Sequence, residues 1–447
     1  MTGAAEIEKM NGFTASLSFC THPLMKTRKM AKLLYFAALA HLAKSCAVDR
    51  EYTEARLSQY RALLVDDAVP ASSTSENCDA AINMIIYAFL KPWTLEYRSM
   101  LLCDIALILL DSTAIKKAFG MMPKYKDLCG GRQERLNELS ALLFNDMAIP
   151  PIFACTENNI EQFRANHRFA SQQTMRIMVT ATMSAGKSTL INALIGKPIT
   201  RMKQEACTAS LCYLYNKPFE DNRVHLLASP LNLNATYDDL LGVERESASS
   251  IASYFRSFVH PQRRVCLIDT PGVDSALNSG HGELTSKAIV EENYDKLIYG
   301  LNAHYLGAEG KISHLEYVYR NVPSEKIIFV INKLDSFRNK EDSISASISG
   351  VKRDLAEIGF KNPVICPVSA YFSLLLKLKQ NNDMLNEDEE DIFKQHVKKF
   401  NKPEYDLSKY YPKELGDKKA ISDELTKTSF IFGLFGLENI LYGGTSA

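Results

Sequence analysis

Lys187 and Ser188 end the stretch A-T-M-S-A-G-K-S at residues 181–188, an ammonium and a hydroxyl placed side by side after a glycine. The spacing is that of a phosphate-cradling loop, G-x-x-x-x-G-K-[ST], with Ala181 in place of the first glycine. Backbone amides along Ala185, Gly186, Lys187, Ser188 and Thr189 can wrap phosphate oxygens. Lys187 can reach the terminal phosphates as a point charge, and the Ser188 hydroxyl can ligate Mg2+. A small residue is sufficient at position 181 if the backbone there need not take a glycine-only conformation.

Three more short motifs follow in order. L-I-D-T-P-G carries Asp269 and Gly272, an acid placed to hold magnesium through water and an amide placed to sense a terminal phosphate. V-I-N-K-L-D carries Asn332, Lys333 and Asp335. A carboxylate at 335 accepts both N–H donors of guanine, which adenine does not offer, while the asparagine and the lysine stem frame the ring. P-V-S-A brings Ser369 and Ala370, whose amides can meet the guanine oxygen. Each motif is weak alone. Four in this order, each at the end of an apolar run, form a specific set.

The elements that must position them can be read from the same sequence. T-M-R-I-M-V-T-A, R-R-V-C-L-I-D-T, K-L-I-Y-G-L-N-A, K-I-I-F-V-I-N-K and P-V-I-C-P-V-S-A read as buried strands, separated by helical stretches such as residues 343–360. Alternating strand and helix predict an α/β fold with a mainly parallel sheet covered by helices. Before it, residues 23–146 read as a stack of helices with no clear strand, a Ser-rich loop at 69–77 between two of them, and capped starts expected at 76–90 and 94–112. Pro150 and Pro151 mark the boundary expected between an all-α domain, 1–150, and the nucleotide domain, 151–447. The acidic run 386–393 reads as a solvated loop or helix face.

Composition narrows the function classes. The chain has 447 residues, 46% hydrophobic and 23% charged, enough for two or three domains. Fifty-two basic residues balance fifty-two acidic ones, so no global field draws it to nucleic acid, and none is expected as a partner. The ten cysteines are scattered without a C-x-x-C pair, which predicts reduced thiols, a cytoplasmic location and no Cys-type metal site. No secretory signal is read at the start. Residues 99–112 are interrupted by Asp104 and residues 29–45 have a helical period, so neither reads as a membrane span. Residues 429–444 are apolar but short and twice interrupted by glycine, and core packing is expected of them. His281 reads as a loop residue; His304 and His314 read as structural.

With these motifs in place, the sequence resembles the dynamin superfamily of GTPases, and among them the bacterial dynamin-like proteins. Residues 183–196 are similar to the family's phosphate loop, 269–285 to its switch region, 297–307 and 327–337 to its core strands, and 432–441 to its closing helix. The resemblance runs over 155–442 and leaves 1–150 aside. It implies a P-loop GTPase domain that hydrolyses GTP to GDP with Mg2+. It also implies that Ser184 helps to organise a monovalent cation, K+ or Na+, in a transition state formed by paired domains. Met183 stands where some dynamins have a catalytic glutamine. Thr208 is the candidate switch threonine, a ligand to magnesium together with Ser188 and Asp269, with Ser210 nearby.

Small switch GTPases place a water-orienting glutamine after the 269–272 motif, and here that place holds Val273. Either turnover is slow, or a second molecule or a bound cation completes the site. The expected function is therefore a dynamin-like GTPase activated by nucleotide-dependent homodimerisation, with hydrolysis moving the helical region. The alternative from another class is a GTP-dependent regulatory switch that docks a protein partner through its N-terminal helices. A degenerate scaffold that binds without turnover is a third reading, resting on Ala181 and Met183. Peripheral membrane contact stays open.

Overall fold

The computed structural model describes residues 22, 24, 27–65, 95–121, 132–182, 184–200, 210–227, 230–242, 249–261, 263–271, 279–303, 309–337, 343–412 and 424–443. Met183, Thr208, Gly272, Val273 and His304, with the helix expected at 76–90 and the side chain of His281, lie outside this description. The chain divides into two compact units, one made of 1–172 with 217–234, the other of 173–216 with 235–447.

The first unit is helical, with α1 (Lys29–Cys46), α2 (Arg50–Leu64), α3 (Leu95–Leu109), α4 (Ser112–Met121), α5 (Arg132–Phe144) and α6 (Glu157–Ser171). Asp49 caps α2 by accepting from Tyr52 N, a contact worth about 1 kcal/mol. α3 lies at the centre, buried from Arg98 through Leu109, and meets α1, α4, α5 and α6. Its mid-helix acid, Asp104, is fully buried and accepts four hydrogen bonds. His22 Nε2 (3.1 Å) and Tyr35 Oη donate to Oδ2, while Tyr60 Oη (3.1 Å) and Asn159 Nδ2 (3.0 Å) donate to Oδ1. Leu24 N–H donates to His22 Nδ1, so the ring proton sits on Nε2. Burial and the neighbouring carboxylate push both tyrosines well above their ordinary range, so each keeps the proton it donates. The interruption that argued against a membrane span is thus the hub of a helical core.

The unit runs past Pro150 and Pro151. The prolines open a short 3-10 turn, Pro151–Thr156, where missing amides cost nothing, and α6 continues with Ile160 and Phe163 in the same core as α3. Residues 217–234 also belong here, as a strap anchored on α2. Leu231 and Leu233 pack on Tyr52, Leu231 N–H donates to Glu51, and Gln59 donates to Leu233 O at 3.1 Å. Its own turn is closed by the buried Lys217, which donates to Asp221, Arg223 O and His225 Nε2.

The second unit holds the strands β1 (Thr174–Ala181), β2 (Cys212–Asn216), β3 (Ser249–Ser253), β4 (Arg264–Asp269), β5 (Lys296–Asn302), β6 (Ile327–Asn332) and β7 (Val364–Pro367). They lie in the order β3-β2-β4-β1-β5-β6-β7. All neighbours are parallel except β2 with β4. β1, β4, β5 and β6 are buried almost end to end, as a sheet covered on both faces requires.

Helices α7 (Lys187–Ile195), α8 (Tyr237–Gly242), α9 (Ser279–Glu291), α10 (Glu309–Asn321), α11 (Ile344–Ile358), α12 (Ala370–Gln380), α13 (Glu387–Phe400), α14 (Glu424–Ile431) and α15 (Leu434–Tyr442) complete the unit. The apolar C-terminal stretch buries Leu434, Leu437 and Leu441. It also buries Glu438, which pairs with Lys377 of α12 at 2.6 Å and accepts from the amides of Phe258 and Val259. Lys377 donates in turn to Leu194 O at the end of α7 (3.0 Å). Burial pushes the carboxyl up and the ammonium down, and each partner's charge opposes the shift.

Candidate functional site

The parallel register brings the strand ends that carry the motifs to one edge of the sheet. Val179 aligns with Asp269, Ala181 with Gly300, Asn302 with Asn332, and Ile331 with Pro367. β1 is flanked by β4 on one side and by β5 on the other, so the chain reverses its direction of travel across the sheet at β1. That is the place where open α/β sheets form ligand crevices.

The phosphate loop follows β1 directly. Ser184 is exposed with φ 59°, and Gly186 takes φ 80° as the residue before α7. A Cβ on Gly186 would lie 2.6 Å from Asn332 Nδ2, so the position excludes side chains by conformation and by space. Ala181 is a strand residue with no such demand. Its methyl fits because β5 carries Gly300 opposite, where a Cβ would come within 2.9 Å of it. The loop is held by Thr182 N–H to Gly300 O, Ala185 N–H to Thr182 O and Asn302 Nδ2 to Ser184 O. Lys187 and Ser188 open α7, with Ser188 and Thr189 half-buried.

Lys187 Nζ donates to Asp269 Oδ1, and both side chains are nearly enclosed. The turn after Asp269 is pinned by Thr270, whose hydroxyl donates to Val179 O at 3.0 Å, and by Thr285, which donates to Pro271 O at 2.9 Å. Lys187, Ser188 and Asp269 are thus neighbours on one rim. Their hydroxyl and carboxylate oxygens are hard donors of the kind magnesium takes.

Across the cleft, Asn332 is buried and bonded both ways. Its Nδ2 donates to Ala185 O at 2.8 Å, and its Oδ1 accepts from Ala370 N at 3.1 Å. Lys333 has φ 68°, which swings the chain into a 3-10 turn, Leu334–Ser336. Ser369 Oγ donates to Asp335 Oδ1 at 3.0 Å. Burial alone would raise the Asp335 carboxyl, but His396 and Ser369 hold it below the usual range, so it stands as an ionised acceptor. Gly186, Thr189, Asn332, Lys333, Asp335 and Tyr371 line one cleft.

Among the described residues, every motif position from Ser184 to Ala370 falls at this edge. His314 lies elsewhere, stacked near Tyr317 and 2.8 Å from Tyr299 Oη. Four participants were not foreseen. Asn302 ends β5 and had only its strand position as a signal. Tyr371 follows the P-V-S-A motif by one residue. His396 and Lys399 come from α13, whose acidic start drew the attention instead.

Comparison with known proteins bears on the same segment. The Dynamin family model matches residues 177–334. A protein described as "Uncharacterized protein in xynA 3'region" from Caldicellulosiruptor sp. (strain Rt8B.4) is 26% identical over 236 residues, 51% of this chain and 57% of that one. Dynamin-like protein A of Bacillus subtilis (strain 168) is 24% identical over 215 residues, 47% of this chain and 17% of that one. The probable transmembrane GTPase FZO-like, chloroplastic, of Arabidopsis thaliana is 25% identical over 215 residues, 45% and 20% of the two chains. The chain spans little more than half of the first relative and a fifth or less of the other two. Residues 177–334 thus carry a dynamin-family GTPase domain on an α/β P-loop fold.

Proposed function

We propose that this protein binds GTP and hydrolyses it to GDP and phosphate with Mg2+, and that a second copy completes the catalytic site. The observation that carries the reading is Asn332, which bonds the phosphate loop on one side and the Ser369–Ala370 turn on the other. A nucleotide lying along that edge meets Lys187 at one end and the ionised Asp335 at the other. Lys187 would exchange the Asp269 carboxylate for phosphate oxygens as its partner, and Asp269 would then be released for other work. Ser188 and Asp269 would hold magnesium, with Thr208 as the third candidate; when bound, the ion neutralises charge on the phosphates.

Val273 is the reason to invoke a second copy, since an apolar side chain cannot orient water. Ser184, exposed at φ 59° beside the phosphate positions, is the group through which a partner or a monovalent cation would act. The helical unit would then be what hydrolysis moves. Among the described residues no helix is long and apolar enough to cross a membrane, so any membrane contact would be peripheral to them.

The test is GTP hydrolysis per molecule across a wide range of protein concentration, with potassium against sodium and ATP as control. A specific rate that climbs with concentration supports paired domains. A flat rate with GTP preferred removes the pairing and leaves the regulatory switch. No turnover of GTP at any concentration overturns the enzyme.

A further inference from the structure

We propose that α13 is a brace for base recognition, with His396 and Lys399 as positioning residues that aim Asp335 at the guanine edge. The proposal rests on the GTP reading above. It assigns a role in specificity to an element that lies beyond the dynamin-family match, which ends at residue 334.

The helix is strongly specified. Asn386 and Glu389 form a reciprocal capping box, four acids occupy the first turn, and Lys398 and Lys399 occupy the last, as the helix dipole favours. One face is aromatic. Phe393, His396 and Phe400 stack on Phe372 of α12 with centroids 5.1, 5.4 and 6.2 Å away, so the helix is registered against the segment that follows Ser369. A helix fixed at both ends and along one stripe can hold a neighbouring turn in place.

It touches that turn at two points. His396 Nδ1 lies 2.7 Å from Ile392 O; a carbonyl only accepts, so Nδ1 carries a proton and the ring orientation is set. That directs Nε2 at Asp335 Oδ2, 3.8 Å away, while Ser369 holds Oδ1. The distance is too long for a hydrogen bond and leaves the outer lone pairs of the carboxylate available for a ligand's N–H groups. Three residues on, Lys399 Nζ donates to Asp335 O at 2.6 Å and also to Phe337 O, which Tyr405 Oη approaches at 3.3 Å. Lys333, with φ 68°, opens this turn in a conformation that a lysine seldom adopts. The two carbonyl contacts fix the turn where its own backbone preference would not.

The variants His396→Ala and Lys399→Met are to be measured by calorimetry with GDP and with xanthosine diphosphate, alongside Asp335→Asn, His396→Gln and Lys399→Arg. Inorganic tripolyphosphate, as a competitor, reads the phosphate end alone. Loss of the brace is expected to weaken GDP about tenfold while tripolyphosphate competes as in the unaltered protein. Lys399→Arg, which still donates to both carbonyls, is expected to retain affinity, and Lys399→Met placed on Asp335→Asn is expected to weaken xanthosine diphosphate by a similar factor. If Asp335→Asn shifts preference towards xanthosine diphosphate but both brace variants bind GDP normally, α13 has no part in recognition. If a brace variant weakens tripolyphosphate as much as GDP, its effect is general misfolding, and the proposal fails. If Asp335→Asn leaves base preference unchanged, the guanine reading itself is wrong.

Discussion

At the proposed phosphate end of the cleft the structure is built from backbone: Ser184 and Gly186 in left-handed conformations, a helix start at Lys187, and loop amides held by short-range bonds. At the proposed base end it is built from side chains drawn from β6, the 369–370 turn and α13, converging on one short turn. The proposed phosphate end lies within the segment that matches the dynamin family, whereas Asp335 stands one residue outside it and α13 lies far beyond. Phosphates are common to every nucleotide, and a local loop with a Lys-Ser pair can satisfy them. A base is told apart by one edge, so its reader must be aimed, and aiming needs distant supports.

Four experiments would break or sharpen that contrast. Lys187→Ala removes the one cation at the phosphate rim that the sequence motif assigns there, and turnover of GTP is expected to fall by about a hundredfold to a thousandfold; near-normal rates would dissolve the assignment. Asp335→Asn should cost GTP affinity about tenfold to a hundredfold, with a gain for xanthosine triphosphate, because the amide cannot accept two donors. Selectivity that survived this change would mean the base is read elsewhere.

Asn332 belongs to both ends, and it distinguishes a shared frame from two separate halves. Asn332→Ala is expected to lower stability in urea melts by about 1–3 kcal/mol and to weaken GDP and tripolyphosphate alike. Loss of GDP alone would make it a base-side residue only. The smallest effect is in acid. The folded Asp335 carboxyl lies below its unfolded value, so its contribution to stability is present above about pH 4 and is lost as pH falls through the folded value. Melts of Asp335→Asn should therefore differ less from the unaltered protein at pH 3 than at pH 5, and an unchanged difference would count against an ionised Asp335.

The same contrast governs what could be read in the sequence. β1, β4, β5, β6 and β7 were legible because buried parallel strands are short apolar runs, and the phosphate loop because its chemistry is contiguous. β3, with sequence S-S-I-A-S, has no such run; its parallel ladder with β2 is a tertiary contact that its own sequence does not announce. Pro150 and Pro151 read as a boundary, yet they start a turn into α6, and Ile160 and Phe163 carry the first unit on to residue 172. The charges of 387–390 drew attention to the solvated side of α13. The stripe that matters, 393–396–400, faces the other way, and its value lies in contacts that no local pattern announces.

The strap at 217–234 gives the chain three covalent passages between its two units, at 172–173, 216–217 and 234–235. One peptide bond therefore cannot part them. A fragment starting at residue 173 would keep the strap and lose Tyr52, leaving Leu231 and Leu233 bare to solvent. A fragment ending at 172 would give up the segment that covers Glu51, Tyr52 and Gln59. The helical unit is interleaved with its neighbour in the linear order of the chain and is not appended to it, so any graft of one onto another protein has to carry residues from both sides of the seam.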